Sequence, residues 1–127
     1  MQNETTKSRY SDSELEEFKN LLESKIRAAR EELNELASTL NASNTNGDDA
    51  AIAGKTLEDG SATYEKEQTN QLAARQKKFI EQLEAALTRI QNKTYGICRS
   101  TGKLIPAERL RAVPHTTMTM EAKMKQN

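Results

Sequence analysis

From Leu15 onward, apolar residues return every three or four positions, as Leu15, Phe18, Leu22, Ile26, Ala29, Leu33, Leu36 and Leu40, with polar and charged residues between them. That spacing is one face of an α-helix. Ser11 precedes Glu14 by three residues and Ser13 precedes Glu16 likewise, so either hydroxyl can cap the helix where it starts, near Ser11. No proline or glycine interrupts the span to Asn41, which makes a rod about 45 Å long at about 1.5 Å per residue. Asn41 to Asp49 is dense in Asn, Ser, Thr, Gly and Asp, residues that compete for backbone hydrogen bonds or tolerate left-handed conformations. It is expected to be a loop, and Gly54 and Gly60 extend the interruption. A second long helix is expected from about Ser61 to Asn92. Its stripe runs Leu72, Phe79, Leu83, Ala86, Leu87 and Ile90, broken once by Gln76.

Neither helix can bury its stripe alone, so the pattern predicts an antiparallel coiled-coil hairpin. Pairing residues whose numbers total about 108 sets Phe18 against Ile90, Ala29 against Phe79 and Leu36 against Leu72, alternating large with small. The fold class is therefore mainly α: a long helical hairpin over residues 11–92 with a tip at about 42–60, preceded by a flexible arm over 1–10. A small zinc-finger-like module and a short C-terminal helix follow over 93–127.

Charge changes this picture by separating the two ends. Lys and Arg total 19 and so do Asp and Glu, but residues 11–59 carry five cations against twelve anions, and residues 93–127 carry seven cations against two anions. The expected tip holds Asp48, Asp49, Glu58 and Asp59, where no hydrophobic requirement places them. No apolar run is long enough to span a membrane, and Met1 to Tyr10 lacks an export core, so a cytoplasmic protein without membrane contact is expected. An enzyme is not expected, because the chain offers no His paired with a nucleophile and no phosphate-cradling glycine loop. Nor is direct sequence-specific DNA binding, since the basic end lacks interleaved aromatics.

The candidate chemistry lies in Tyr95-Gly96-Ile97-Cys98-Arg99-Ser100-Thr101-Gly102, which has the turn of a zinc knuckle but a single cysteine. Thr101 stands where a second ligand would be, and Thr119 and Ala122 where a second pair would be. His115 is the chain's one histidine and reads as an exposed loop residue. Threonine hydroxyls are poor zinc ligands, so neither zinc nor another cofactor is expected. Ile97, Leu104, Ile105, Leu110, Val113 and Met118 are enough to form an apolar plug, with Cys98 as a small buried hydrophobe and a short helix running from Pro106 to Arg111.

Together with the hairpin, Tyr95-Gly96-x-Cys98, Gly102-x-x-Ile105 and Arg109-Leu110-x-Ala112-x-Pro114 resemble the DksA/TraR family of bacterial transcription regulators, and Arg75, Lys78, Ile80, Glu84, Ala85 and Leu87 are in step with that family's second coil helix. The resemblance implies that Cys98, Thr101, Thr119 and Ala122 occupy former zinc-ligand positions. It further implies binding to RNA polymerase, with the hairpin entering the secondary channel tip first and the basic module, through Lys103, Arg109 and Arg111, docking outside. The family's Asp-x-x-Asp-x-Ala tip signature falls on Lys55, Glu58 and Gly60, so only Glu58 keeps a charge in place, with Asp59 beside it. Positions that hold guanosine tetraphosphate in some members carry Phe79, Gln82, Val113 and Lys123, a set too poor in cations for that ligand to be expected. The alternative reading is a structural or adaptor hairpin that dimerises through leftover apolar surface at Leu21, Leu33 and Ile80.

Overall fold

The computed structural model describes the backbone of residues 8–126 and the side chains of residues 8–41 and 63–126. Helical structure dominates. The element α1 comprises Asp12–Gln91, α2 is Ala107–Ala112 and α3 is Met120–Gln126. The arms of α1 over 12–41 and 63–91 form a hairpin: Lys93 Nζ, just past its end, donates to Asp12 Oδ1 at 2.8 Å, and Gln76 Nε2 donates to the Ala29 carbonyl at 3.1 Å. The expected tip, with Asp48, Asp49, Glu58 and Asp59, lies outside the residues whose side chains are described.

Both ends of α1 follow from local chemistry. Ser11 is the N-cap in a complete capping box: its hydroxyl accepts from the Glu14 amide, and the Glu14 carboxylate accepts from the Ser11 amide at 2.8 Å. At the other end Asn92 is the C-cap and Lys93 turns left-handed at φ 66°. The Lys93 amide then bonds the Ile90 carbonyl and the Thr94 amide the Arg89 carbonyl, satisfying two of the last orphan acceptors.

The chain divides into two units, residues 1–26 with 81–127 and residues 27–80. In the first, Leu15, Phe18 and Leu22 from one arm and Leu83, Ala86 and Ile90 from the other are buried, together with Tyr95, Ile105, Leu110 and Met118 of the module. Three aromatic rings tie these pieces together. Tyr10 meets Phe18 edge-on at 5.4 Å, and Phe18 meets Tyr95 at 5.3 Å. The Tyr10 hydroxyl donates to the Ile105 carbonyl and the Tyr95 hydroxyl to the Pro114 carbonyl at 2.8 Å, so neither ring buries an unsatisfied polar atom. Tyr10 is thus part of the core, whereas the sequence alone puts it in an N-terminal arm.

Gly96 makes the close approach of Tyr10 possible. Its φ is +82°, and a Cβ there would lie 2.7 Å from the Tyr10 ring.

In the unit of residues 27–80, Ala29 is buried while Leu33, Leu36 and Leu40 are only half-buried. The opposing arm turns Thr69, Ala73, Gln76 and Phe79 inward. Gln76, which interrupts the stripe, reaches the Ala29 carbonyl, a pair whose numbers total 105 where the expected register totals about 108. Leu72, expected against Leu36, is 49% exposed. A glutamine that reaches a carbonyl across the hairpin is a polar registry device. Ile80, expected at a leftover apolar surface, is buried, which removes one of the three residues on which a dimerising face was built.

Candidate functional site

The module's site is built around a tight turn. The Cys98 amide donates to the Lys103 carbonyl and the Gly102 amide to the Cys98 carbonyl, each at 2.8 Å, with Gly102 at φ +75°. Ile97 and Leu104 pair as an isolated antiparallel bridge, and the Ile105 amide closes the loop on the Gly96 carbonyl at 2.7 Å. This is the knuckle the sequence predicts, wrapped about the Cys98 sulfur.

A second segment comes to the same sulfur. The Arg99 amide donates to the Thr117 carbonyl at 2.9 Å, which brings residues 116–119 alongside the turn. The Thr119 amide donates to Cys98 Sγ at 3.4 Å, and the Thr119 hydroxyl lies 3.9 Å from that sulfur. Thr119 also begins α3: its Oγ1 accepts from the Ala122 amide at 3.1 Å and its carbonyl from the Lys123 amide at 3.0 Å. The turn that carries Cys98 and Thr101 is therefore joined to the start of α3 at Thr119, which in turn holds the Ala122 amide.

Cys98 is buried, as expected, but it is not merely a hydrophobe. Burial pushes its thiol up, yet hydrogen bonds from the Thr101 hydroxyl and from the Thr119, Thr101 and Ser100 amides overcome this and lower it to about 6.

The basic residues divide in two. Lys103 and Arg111 are exposed, whereas Arg109 works inside the module. Its Nε donates to the Met118 carbonyl at 2.9 Å and its Nη2 to Thr116 Oγ1 at 3.2 Å, so α2 braces the segment that leads into α3. Near the sulfur lies an open cleft of about 460 Å³ lined by Arg99, Ser100, Met118, Ala122, Lys125 and Gln126. On α3, Met120 and Met124 are 58% and 70% exposed, one turn apart.

His115 differs from expectation. It is half-buried rather than an exposed loop residue, and burial first, then the cations Arg89 and Lys123, hold its imidazole below the usual histidine range. The Arg89 guanidinium donates to the His115 carbonyl at 3.5 Å. Of the positions compared with a nucleotide site, Gln82 and Lys123 are exposed and Phe79 and Val113 half-buried.

With this geometry in view, residues 93–127 match the family model described as Prokaryotic dksA/traR C4-type zinc finger. Residues 93–127 are thus similar to the C-terminal module of the DksA/TraR family. The chain is 46% identical over 46 residues to General stress protein 16O of Bacillus subtilis, and 44% identical over 48 residues to the RNA polymerase-binding transcription factor DksA of Caulobacter vibrioides. These stretches cover 36% and 38% of this chain but only 28% and 34% of the relatives. A solved structure of transcription factor DksA2 from Pseudomonas aeruginosa matches 90% of this chain and 83% of its own with a TM-score of 0.78 at 23% identity, which establishes the common fold.

A C4-type module implies zinc, and the residues at hand do not fit that ion. Tetrahedral zinc takes thiolate, imidazole or carboxylate donors. Here the four converging positions offer one thiol, two neutral hydroxyls and a methyl group, and among the described residues no cluster of His, Cys, Asp or Glu could hold a metal. Among the described residues, too, no helix is long and apolar enough to cross a membrane.

Proposed function

We propose that this chain is a non-enzymatic regulator of transcription initiation that binds RNA polymerase. The hairpin enters the secondary channel, and the acidic residues Asp48, Asp49, Glu58 and Asp59 approach the catalytic centre. Carboxylates there alter the electrostatics around the polymerase's metal and mobile elements, shifting the lifetime of the open promoter complex without catalysing a reaction. The observation that carries this reading is the shared fold over nine-tenths of the chain, combined with a C-terminal module of the DksA/TraR type.

Charge separation supports a division of labour. The module's exposed Lys103 and Arg111 suit an acidic outer surface of the partner, and the exposed Met120 and Met124 offer apolar contact. Arg109 contributes indirectly, by fixing the path from α2 to α3. Guanosine tetraphosphate has no part in the proposal.

The test is retention of the purified chain on core polymerase, followed by transcription from a responsive promoter. Retention should be lost when the secondary channel is blocked. Glu58→Gln with Asp59→Asn should keep binding and weaken the effect on initiation, whereas Lys103→Glu with Arg111→Glu should lower retention itself. Failure of the wild-type chain to bind core polymerase at low salt contradicts the proposal.

A further inference from the structure

The mismatch between a knuckle geometry and a donor set unfit for zinc raises a physical question: what holds the turn of residues 98–102 against the start of α3? Buried backbone polar groups need partners, and the Arg99 amide on the Thr117 carbonyl is one link between the two segments. The hydrogen bonds around the sulfur supply a second. Thr119 Oγ1 accepts the Ala122 amide, which leaves its own proton to be directed at Cys98 Sγ, 3.9 Å away. Thr101 braces the turn itself: its Oγ1 accepts the Lys103 amide at 3.2 Å, and its hydroxyl is the largest of the influences that hold the Cys98 thiol low. Each threonine accepts one proton from the backbone, and Thr119 shares a second with the sulfur. The Thr119 amide adds a further donor at 3.4 Å. Ala122, at the fourth position, contributes its backbone amide, and its residue is buried.

We propose that Cys98, Thr101 and Thr119 form a metal-free fastener that does the work a zinc ion does in a C4 module, so that this module reaches its full stability without metal. The sulfur is the hub, because it is large enough to accept from both loops at once, and the threonines relay backbone N–H groups to it. Arg109 reinforces the junction by binding Met118 O and Thr116 Oγ1 from α2. This inference concerns how the module is held together and stands apart from whether it binds polymerase.

The test uses the full chain, purified after growth with added zinc. Elemental analysis is expected to find less than about a tenth of an equivalent of zinc, and excess EDTA is expected to leave the Tm unchanged. Cys98→Ala and Thr119→Val should each lower the Tm by about 5 °C, and the double variant by clearly less than the total of the two, because both remove the shared sulfur–threonine contact while Thr119→Val alone also removes the α3 cap. Thr119→Ser should restore most of the loss. Combining Thr101→Cys, Thr119→Cys and Ala122→Cys should create a chain that takes up one zinc and becomes sensitive to EDTA, since the four positions already converge. One equivalent of zinc in the native chain, an EDTA-induced fall in its Tm, strictly additive effects of the two single changes, or a triple variant that binds no zinc would each overturn the inference.

Discussion

The unit of residues 1–26 with 81–127 and the unit of residues 27–80 are built from the same kind of helix but stabilised to different degrees. The first buries Leu22 and Leu83 completely, interlocks three aromatic rings and spends tyrosine and arginine side chains on backbone groups distant in sequence. The second leaves its inward leucines half-exposed and faces them with threonine, alanine and glutamine. Burial contributes about 25 cal/mol per Å² of apolar surface, so the second unit draws far less from packing. Segments that act on a partner are commonly taken from the low-stability end of a structure, and the thin packing of residues 27–80 fits the role proposed for that part of the hairpin.

The sharpest challenge to this contrast is the same substitution made in both units. Leu22→Ala should cost about 3–4 kcal/mol in urea unfolding, because it opens a cavity in a sealed core. Leu36→Ala, at a half-buried position, should cost about 1 kcal/mol. Equal losses would mean that the two units are packed alike.

Next in size is a pair of glycines with similar backbone angles. Gly96→Ala brings a Cβ to 2.7 Å from the Tyr10 ring and should destabilise by about 2–3 kcal/mol, whereas Gly102→Ala meets nothing within 4 Å and should cost only about 1 kcal/mol for its positive φ. Adding Tyr10→Ala to Gly96→Ala should remove most of the difference between the two, because the clash disappears with the ring.

The smallest effect concerns the end of α1. Lys93 holds a left-handed conformation that glycine adopts freely, so Lys93→Gly should stabilise by about 0.5–1 kcal/mol at pH 3, where its ion pair with Asp12 contributes least. At neutral pH the gain should be smaller. Hydrogen bonding to Lys93, with the lysine's charge next, holds the Asp12 carboxyl below its ordinary value of about 3.9, so the pair's contribution is present above that pH and is lost as pH falls through the lowered folded value. Thermal melts of both forms from pH 3 to 7 check the sign.

Much of the hairpin was legible because helices write their rules locally. The capping box at Ser11, the end of α1 beside Asn92, the heptad stripe and the polar interruption at Gln76 all lie within short windows of sequence. So did the knuckle turn and the short helix after Pro106. What escaped were contacts between distant residues. Tyr10 reaches Ile105, and Arg109 folds back on Met118, and neither link leaves a periodic trace. The Gln76 bond to the Ala29 carbonyl was hidden for a related reason, since side-chain volume says nothing of which polar group crosses the hairpin. The double role of Thr119 as helix cap and sulfur partner required seeing both loops at once.

The central claim is that the acidic end of the hairpin works inside the polymerase. A photo-crosslinking residue placed at position 57, beside Glu58 and Asp59, is the most direct probe of it. The account predicts crosslinks to the polymerase segments that surround the catalytic centre, suppressed when the secondary channel is blocked. Crosslinks confined to the enzyme's outer surface, or unaffected by the block, would contradict it.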